Sequence, residues 1–523
     1  MTDIREQEMQ NRIDSLTLEK ENLRYEIDCL KEQIAQLKKM AFGSRTEKTK
    51  RILGDVEEIN IFDEAEVESK GSAPEPIIEV PAHKRHKKQK GHLEQILKDV
   101  PHQECVITLP ENERICKRCG TPLTSMGREK IRTEVQFIPA TVKVIDFYRE
   151  SFQCLECRKK EHFSIEKPPM PQPVLSKSIA SPSSVAHVIA QKYQFSMPLY
   201  RQEQEWKSIG IALSRATLAN WVIRAAEDWL MPLVDCMHAK LLQQPVIHAD
   251  ETPVQVLNEK GRKNKTKSYM WVYTNGEFVR DRRQIRIYEY HPGRNGGFAG
   301  KFLEGYEGIL QTDGYAGYEQ IPCKEHALCW VHARRYFVDA IPAGLSQEEA
   351  AESISGQAIR KINEIFALDK QLSHKSAEER QAERLRLEKD KLEAFFVWLE
   401  GIQSKALPKS ALGKAVNYAL NHRNGLSVFL QDGNIALSNN ICERAIRNFT
   451  IGRKNWLFSA SPKGAVASAA VYSIVETSKA NGLEPFRYLT YLFENLPNIN
   501  FKIHPELLEN FLPWDEEVQQ NCK

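Results

Sequence analysis

The sequence predicts a multidomain α/β protein. At 523 residues the chain is longer than a single hydrophobic core usually supports, so we expect several domains. From residue 246 onward, short apolar runs typical of strands alternate with turns and helical segments. Leucines recur every seven residues near the N-terminus, and two Cys-x-x-Cys pairs follow. A coiled coil and a zinc-ribbon-like module should therefore precede the α/β domain.

The composition is that of a globular protein, with 41% hydrophobic and 27% charged residues. The net charge of +3 gives no global sign of a nucleic-acid partner, so any basic surface must be local. No run approaches the roughly 20 apolar residues of a membrane helix, and the N-terminus lacks the apolar core of a signal peptide. Eleven cysteines in such a chain favour free thiols or metal ligands over disulfides. We expect a cytoplasmic protein with no membrane partner.

Residues 1–44 are predicted to form a coiled coil. One seam position holds leucines and the other holds isoleucines with one lysine: Leu16, Leu23, Leu30 and Leu37, and Ile13, Lys20, Ile27 and Ile34. This pattern favours a parallel two-stranded coil and hence a homo-oligomer. The alternative is a single amphipathic helix packed on its own domain.

Residues 45–100 are predicted to be a linker with a basic arm. The segment is acidic, then bears Pro and Ser, and ends in a basic run at 83–90. Within that run the candidate phosphate-contacting residues are Lys84, Arg85, Lys87 and Lys88. A solvated tether is an equally good interpretation of this run by itself.

Residues 101–167 are predicted to be a zinc-binding module that contacts DNA. The four candidate ligands are Cys116, Cys119, Cys154 and Cys157, and the residues between the two pairs are rich in strand formers. Four thiolates can close a tetrahedral Zn²⁺ site and leave no open position, so the ion would be structural. The alternative is two unrelated redox or buried cysteine pairs.

Residues 183–242 carry a helical pattern. Within them, 206–222 have the outline of a helix-turn-helix, in which a helix, a Gly-bearing turn and a Ser-capped helix follow one another. The second helix could enter a major groove, or the pair could simply pack together.

Residues 243–345 and 430–460 are predicted to form the α/β core. Its candidate strands are 245–250, 269–274, 284–290, 308–313 and 326–331, with a helix at 297–304. The highly charged residues 346–429 read as a helical insertion. Residues 461–523 form a C-terminal helical region, with two helices between 464 and 495.

Three acidic residues are the candidate catalytic set. Asp250 and Asp313 follow apolar strand-like runs, and Glu443 lies near the start of a helix. Carboxylates suit two divalent cations, which bind oxygen ligands and substrate phosphates and can activate phosphodiester cleavage. The aspartates could instead cap turns, and Glu443 could form a capping box with Asn440.

Basic residues follow Glu443, namely Arg444, Arg447, Arg453 and Lys454. They could neutralise a DNA backbone or form a solvated face.

Four motifs together resemble the insertion-sequence 66 family of bacterial DDE transposases. They are residues 248–252 (His-Ala-Asp-Glu-Thr), 312–315 (Thr-Asp-Gly-Tyr), 329–337 (Cys-Trp-Val-His-Ala-Arg-Arg-Tyr-Phe) and 439–447 (Asn-Asn-Ile-Cys-Glu-Arg-Ala-Ile-Arg). The resemblance extends to the coil with residues 42–48, the Cys-x-x-Cys segment, and residues 199–203 and 452–458.

This resemblance implies an RNase-H-like catalytic core with a helical stretch inserted before the last acidic residue. It implies that Asp250, Asp313 and Glu443 bind two Mg²⁺ or Mn²⁺ ions, and that the four cysteines bind structural Zn²⁺. His332 and Arg335 would neighbour the phosphate or metal, or serve a structural role.

The implied function is cleavage at the element's terminal inverted repeats and strand transfer into target DNA. The expected location is the bacterial cytoplasm, on the nucleoid when DNA is bound. Accessory proteins of the same element are further candidate partners. The alternatives are a non-catalytic, zinc-containing coiled-coil DNA-binding regulator and an RNase-H-fold nuclease without strand transfer.

Overall fold

The structure is a computed structural model of the chain. It describes residues 12, 15–17, 19–20, 142–150, 152–153, 165–166, 169–278, 283–342 and 344–523. The linker, the basic arm at 83–90, most of the coil and the four zinc-ligand cysteines lie outside the described residues. Within the coil, residues 15–17 and 19–20 are helical and exposed.

The chain divides into two compact units. One comprises 1–55 and 146–523 and the other 56–145. Of the second unit, residues 142–145 are described, and they are exposed and irregular. All helices and strands below belong to the first unit.

A small ladder and four helices precede the main sheet. Strands β1 (Phe152–Gln153) and β2 (Ile165–Glu166) pair antiparallel. The helices are α1 (Pro182–Tyr193), α2 (Leu199–Ser208), α3 (Arg215–Ala225) and α4 (Met231–Leu241). Ser181 and Ser214 cap α1 and α3 by accepting hydrogen bonds from backbone amides three residues on. These helices occupy the region 183–242, where the sequence has a helical pattern.

A mixed six-stranded sheet forms the centre of the α/β part. Its strands are β3 (Val246–Val256), β4 (Lys267–Asn275), β5 (Arg286–His291), β6 (Ile309–Thr312), β7 (Glu325–Leu328) and β8 (Phe458–Ser459). The order is β5-β4-β3-β6-β7, and β8 pairs with the far end of β3. Strands β3, β4 and β5 are antiparallel neighbours, whereas β6 and β7 run parallel to β3.

Two strand boundaries differ from the sequence prediction. Strand β3 continues to Val256, because beyond the predicted end it pairs with β4 as far as Gln255. Asp250 therefore lies inside a strand, not at its end. Strand β7 ends at Leu328, and the predicted strand residues 330 and 331 are helical instead.

The charged region after the sheet is helical, as its pattern predicts. It follows α5 (Gly296–Phe302) and α6 (Trp330–Asp339) and contains α7 (Gln347–Glu352), α8 (Ile354–Gln371), α9 (Ala377–Leu387), α10 (Lys389–Gln403), α11 (Ala411–Asn421) and α12 (Arg423–Ser427). These helices share a hydrophobic core with α6, in which Trp330 contacts Phe395 and Phe396.

The chain then returns to the sheet through α13 (Asn440–Trp456), followed by α14 (Pro462–Ala480), α15 (Pro485–Asn495) and α16 (Glu516–Cys522). Helix α14 lies against β5, where Ser473 Oγ accepts a hydrogen bond of 2.8 Å from the Tyr288 amide. Helices α14 and α15 confirm the two predicted C-terminal helices, and Gly482 turns the chain between them with φ +76°. None of the helices among the described residues is both long and apolar enough to span a membrane.

Candidate active site

The two candidate aspartates lie level with each other, Asp250 within β3 and Asp313 directly after the neighbouring strand β6. In the parallel ladder Val246 pairs with Ile309 and His248 pairs with Gln311. Two residues further along each strand the same offset brings Asp250 beside Asp313. Neighbouring strands are about 4.8 Å apart, so the two carboxylates start from adjacent backbone positions.

A tight turn holds Asp313 directly after β6. Its Oδ1 accepts a hydrogen bond of 2.9 Å from the Tyr315 amide, and its carbonyl accepts one of 2.9 Å from the Tyr418 hydroxyl. Gly314, between Asp313 and Tyr315, has φ +87°. A Cβ at this position would lie 2.8 Å from the Tyr418 hydroxyl. The turn thus needs glycine for both its conformation and its space.

The third carboxylate, Glu443, enters on the first turns of α13. Asn439 precedes this helix and is fully buried. Its side chain accepts a 2.9 Å hydrogen bond from His248 Nδ1 and donates one of 3.1 Å to the Ala249 carbonyl. Because Asn439 is the N-cap residue, Glu443 falls outside a capping box with Asn440, and the capping alternative is wrong.

The neighbouring carboxylates change the pKa of Asp250. The pKa of Asp250 is raised well above its ordinary value, first by burial and then by the nearby charges of Glu251, Asp313 and Glu443. The Glu251 amide, which donates a 2.7 Å hydrogen bond to Asp250 Oδ1, opposes this rise. The three predicted acidic residues therefore lie in one electrostatic cluster.

This donor set fits divalent cations. Four carboxylates gather here, and burial raises the pKa of two of them, Asp250 and Glu251, whose negative charge a cation would stabilise. In addition, Glu443 Oε1 and His332 Nδ1 are buried and find no hydrogen-bond partner among the described residues. Asp250, Asp313 and Glu443 are the residues that could hold such ions.

His332 faces Glu443 across the site. The residue lies on α6, and its Nε2 is 3.9 Å from Glu443 Oε1. Burial lowers the pKa of His332, and Arg335 on the next turn lowers it further, while Glu443 and Asp313 raise it. The imidazole is thus favoured in its neutral form, which can act as a hydrogen-bond partner or as a ligand.

Sequence reasoning missed two residues of the cluster, Glu251 and Arg294. Glu251 is buried and accepts hydrogen bonds from Arg294 and, at 2.5 Å, from the Tyr318 hydroxyl. Arg294 also lies 3.9 Å from Asp313 Oδ2 and stacks on Tyr315 at 3.8 Å. The signal for Glu251 was its place beside Asp250, whereas Arg294, in the Gly-bearing segment after β5, is 43 residues away from Glu251 in sequence.

The predicted DNA-contacting residues differ in their surroundings. Arg335 and Arg444 are exposed, and Arg444 lies 3.7 Å from Glu277. Arg447 is half-buried and Lys454 is exposed. Arg453 instead donates hydrogen bonds to Thr252 Oγ1 at 3.1 Å and to the Pro253 carbonyl. It fastens the end of α13 to β3, so its position is that of a structural residue.

The predicted helix-turn-helix outline is present as α2, a turn and α3. Gly210 in the turn has φ +91°, and Glu203 accepts a 3.0 Å hydrogen bond from the Arg215 amide at the start of α3. One face of α3 buries Leu218 and Trp221. Its other face is exposed, which leaves groove binding and helix packing both open.

Four models of known protein families match this chain. A family model described as the Transposase IS66 family matches residues 177–467, and one described as the IS66 C-terminal element matches 473–514. The zinc-finger binding domain of transposase IS66 matches 113–158, and a leucine-zipper-like model described as the Transposase C of IS166 homeodomain matches 29–104. The first match covers more than half of the chain.

The chain belongs to the IS66 transposase family. The family assignment supports a transposase role and implies DNA binding, and the zinc-finger match supports a structural Zn²⁺ ion. That match spans all four predicted cysteine ligands.

Three similar proteins come from Sinorhizobium fredii (strain NBRC 101917 / NGR234). The chain is 28% identical to the uncharacterized protein y4jD over 94% of this chain and 95% of that protein. It is also 28% identical to the uncharacterized protein y4hP over 94% of this chain and 89% of that protein. A third, y4qI, is 30% identical over 66% of this chain and 64% of its own length.

Proposed function

We propose that this protein is a DDE transposase that cuts the ends of its insertion sequence and joins them to target DNA. The observation that carries the proposal is the cluster of Asp250, Asp313 and Glu443 from β3, β6 and α13. Each residue comes from a different element, so the set exists only in the folded chain. Membership of the IS66 transposase family is the reason for assigning DNA as the substrate.

We infer an RNase-H-like catalytic core. Two features support it: aspartates on adjacent central strands of a mixed sheet, and a helical region between the sheet and the helix that carries the glutamate. The helical region corresponds to the insertion that the family resemblance implied.

Each residue of the site has a separate task in this mechanism. Asp250, Asp313 and Glu443 would hold a pair of Mg²⁺ or Mn²⁺ ions. When bound, such a pair supplies activation of the attacking oxygen and stabilisation of the leaving oxygen. Arg294 holds Glu251 and faces Asp313, and so limits how far the Asp313 side chain can turn. His332 keeps a neutral imidazole beside Glu443.

The other parts of the chain would handle the DNA. The zinc module, the basic arm with Lys84, Arg85, Lys87 and Lys88, and the exposed face of α3 would hold the terminal repeats. The coiled coil would join protomers so that two ends are paired. Arg335, Arg444, Arg447 and Lys454 lie on the elements next to the carboxylates and would contact phosphates there.

The test is cleavage of a supercoiled plasmid that carries the element's ends, with Mg²⁺ or Mn²⁺ and with a chelator. Asp313→Asn, Asp250→Asn and Glu443→Gln should each lower cleavage by more than about 100-fold, because even outer-shell changes at metal sites cost about 10–100-fold. Binding to end DNA, measured by gel shift, should change little. Asp390→Asn, on the exposed start of α10, is the matched control.

The outcomes separate the three functions. Loss of both cleavage and joining in the carboxylate variants supports the transposase. Cleavage without joined products would point to a nuclease. DNA binding with no metal-dependent cleavage by the wild type would point to a regulator. Wild-type cleavage and joining by Asp313→Asn would refute the assigned site.

A further inference from the structure

A cysteine, a histidine and a glutamate meet at the edge of the proposed active site. One ligand atom from each of Cys329, His332 and Glu443 lies within 4.8 Å of the other two. Cys329 is the residue before α6, His332 lies on the first turn of that helix, and Glu443 comes from α13. The function proposed for Glu443, as a carboxylate ligand of the catalytic cations, makes no use of the Cys329 sulfur and makes no metal ligand of the His332 imidazole.

The spacing is close to that of ligands on one ion. His332 Nε2 and Glu443 Oε1 are 3.9 Å apart, too far for a hydrogen bond. Two ligands of a tetrahedral zinc ion are separated by roughly 3.5 Å. Small side-chain rotations would bring the three atoms to that distance. The unpartnered Glu443 Oε1 and His332 Nδ1 atoms show that hydrogen bonds with the described residues do not saturate this cluster.

Cys329 needs a bound cation to become a thiolate, because burial raises the pKa of its thiol to about 11 against the opposing effect of backbone amides. Its side chain is fully buried, and its Sγ accepts a 3.1 Å hydrogen bond from the Asn439 amide. Amide donors to a ligand atom are typical of the outer shell of metal sites, and the N-terminal end of α6 adds a favourable dipole. His332 and Glu443 keep 20% and 32% of their side chains exposed, so an ion can enter from solvent.

We propose that Cys329, His332 and Glu443 form a second metal site that selects thiophilic ions such as Zn²⁺ and that shares Glu443 with the catalytic site. This inference rests on the proposed function, because it takes Glu443 to be a ligand of the catalytic cations. Mg²⁺ takes oxygen ligands and gains nothing from a thiol, whereas Zn²⁺ binds sulfur, nitrogen and oxygen. When the zinc–sulfur bond forms, the Cys329 thiol releases its proton to solvent and no electron is transferred.

Occupation of this site removes Glu443 from the aspartates. Free Zn²⁺ should therefore inhibit Mg²⁺-dependent cleavage, and the inhibition should depend on Cys329. The protein would stay inactive wherever the concentration of free Zn²⁺ exceeds the dissociation constant of the shared site.

The binding test uses Co²⁺ as a spectroscopic probe. Co²⁺ is titrated into the full-length protein after one equivalent of Zn²⁺ has been supplied for the four-cysteine module. We expect a thiolate-to-cobalt charge-transfer band that disappears in Cys329→Ala and weakens in His332→Ala. Cys323→Ala is the matched control, since that half-buried thiol donates to the Glu325 carbonyl and is not part of the cluster.

Cys329→Ser retains the size of the side chain and should also lose the band. It therefore replaces Cys329→Ala if the alanine variant does not fold. An undiminished band in both variants would overturn the proposal.

The activity test measures how much Zn²⁺ halves plasmid cleavage in Mg²⁺. We expect this concentration to rise at least about tenfold in Cys329→Ser and to stay unchanged in Cys323→Ala. Equal zinc sensitivity in Cys329→Ser and wild type would overturn the inhibitory role. If the wild type cleaves no DNA in any metal, the proposed function fails, while the cobalt band still decides whether the site exists.

Discussion

At the scale of single residues, Gly314 controls how the chain leaves β6 beside the predicted aspartate. Its φ of +87° lies where L side chains are rarely found, and the Tyr418 hydroxyl occupies the space of a Cβ. The same hydroxyl holds the Asp313 carbonyl. A side chain at 314 should therefore disturb both the backbone and the contact that fixes the aspartate.

We expect Gly314→Ala to lower the free energy of unfolding by about 1–3 kcal/mol and to reduce cleavage strongly. Gly305→Ala is a close control, because Gly305 has φ +81° but nothing within 4 Å of an added Cβ. That variant should lose about 1 kcal/mol and keep its cleavage rate. Chemical denaturation and the plasmid assay measure the two effects. Equal cleavage by both variants would contradict the assigned role of the turn.

The raised pKa of Asp250 gives a second residue-scale prediction. The folded protein binds a proton at Asp250 more tightly than the unfolded chain does. The contribution of Asp250 to stability is therefore greatest in acid and is lost as pH rises above the ordinary value of 3.8. Asp250→Asn removes this loss. In metal-free buffer at pH 7 the variant should therefore unfold at a higher denaturant concentration than the wild type, unlike Asp390→Asn.

Added Mg²⁺ or Mn²⁺ should reverse that order, because only the wild type keeps the full ligand set. An ion at ten times its dissociation constant adds about 1.4 kcal/mol. Equal stabilisation of wild type and Asp250→Asn would show that Asp250 is not a ligand.

Residue patterns predicted only part of this site. Asp250, Asp313 and Glu443 stood out because each follows an apolar run or opens a helix. Arg294 did not, because its contacts with Glu251 and Asp313 form only when the segment after β5 folds over the sheet. The sequence presents Cys329 only as part of the motif at 329–337, because its closeness to Glu443 depends on how α6 and α13 pack.

At the scale of elements, α13 depends on its first residues to place Glu443. Asn439 joins β3 through His248 and Ala249, and its amide joins the segment before α6 through Cys329. Gln311 of β6 adds a 2.6 Å hydrogen bond to the Ala436 carbonyl on the approach to the helix. These buried bonds set the position of α13 against both aspartate-bearing strands.

Asn439→Ala should therefore affect both stability and catalysis. It leaves the His248 Nδ1 donor and the Ala249 carbonyl buried without their partner, which costs roughly 2–4 kcal/mol. Cleavage should fall, because the first turn of α13 is no longer fixed. Asn455→Ala, on the exposed end of the same helix, should stay within about 0.5 kcal/mol of the wild type. Wild-type cleavage by Asn439→Ala would show that other contacts place Glu443.

The elements themselves were more predictable than their contacts. The pattern of strand-like runs separated by turns indicated β4 and β5, and the charged helical pattern indicated the helices after β7. The sequence has a strand signal through Val254 and Val256, beyond the candidate strand 245–250, and β3 includes these residues by pairing with β4 and β8. The predicted strand 326–331 is too long at its end, because Trp330 begins α6 and packs into the helical core.

At the scale of the whole molecule, the proposed reaction needs two DNA ends held together. The catalytic cluster lies within one chain, so a single protomer should suffice for cutting one end. Joining two ends to a target requires at least two protomers in register. The heptad repeat in residues 1–44 is the segment whose sequence predicts such an assembly.

The combined substitution Leu23→Glu and Leu30→Glu should therefore separate the two activities. Two like charges at the seam oppose pairing, so we expect a shift to the monomer by analytical ultracentrifugation. Metal-dependent nicking of a single end should persist, whereas paired-end strand transfer should be lost. Asn22→Glu, outside the seam of the same heptad, should retain the assembly and both activities. If the double variant still joins paired ends while monomeric, pairing does not depend on the coil and another surface must hold the protomers.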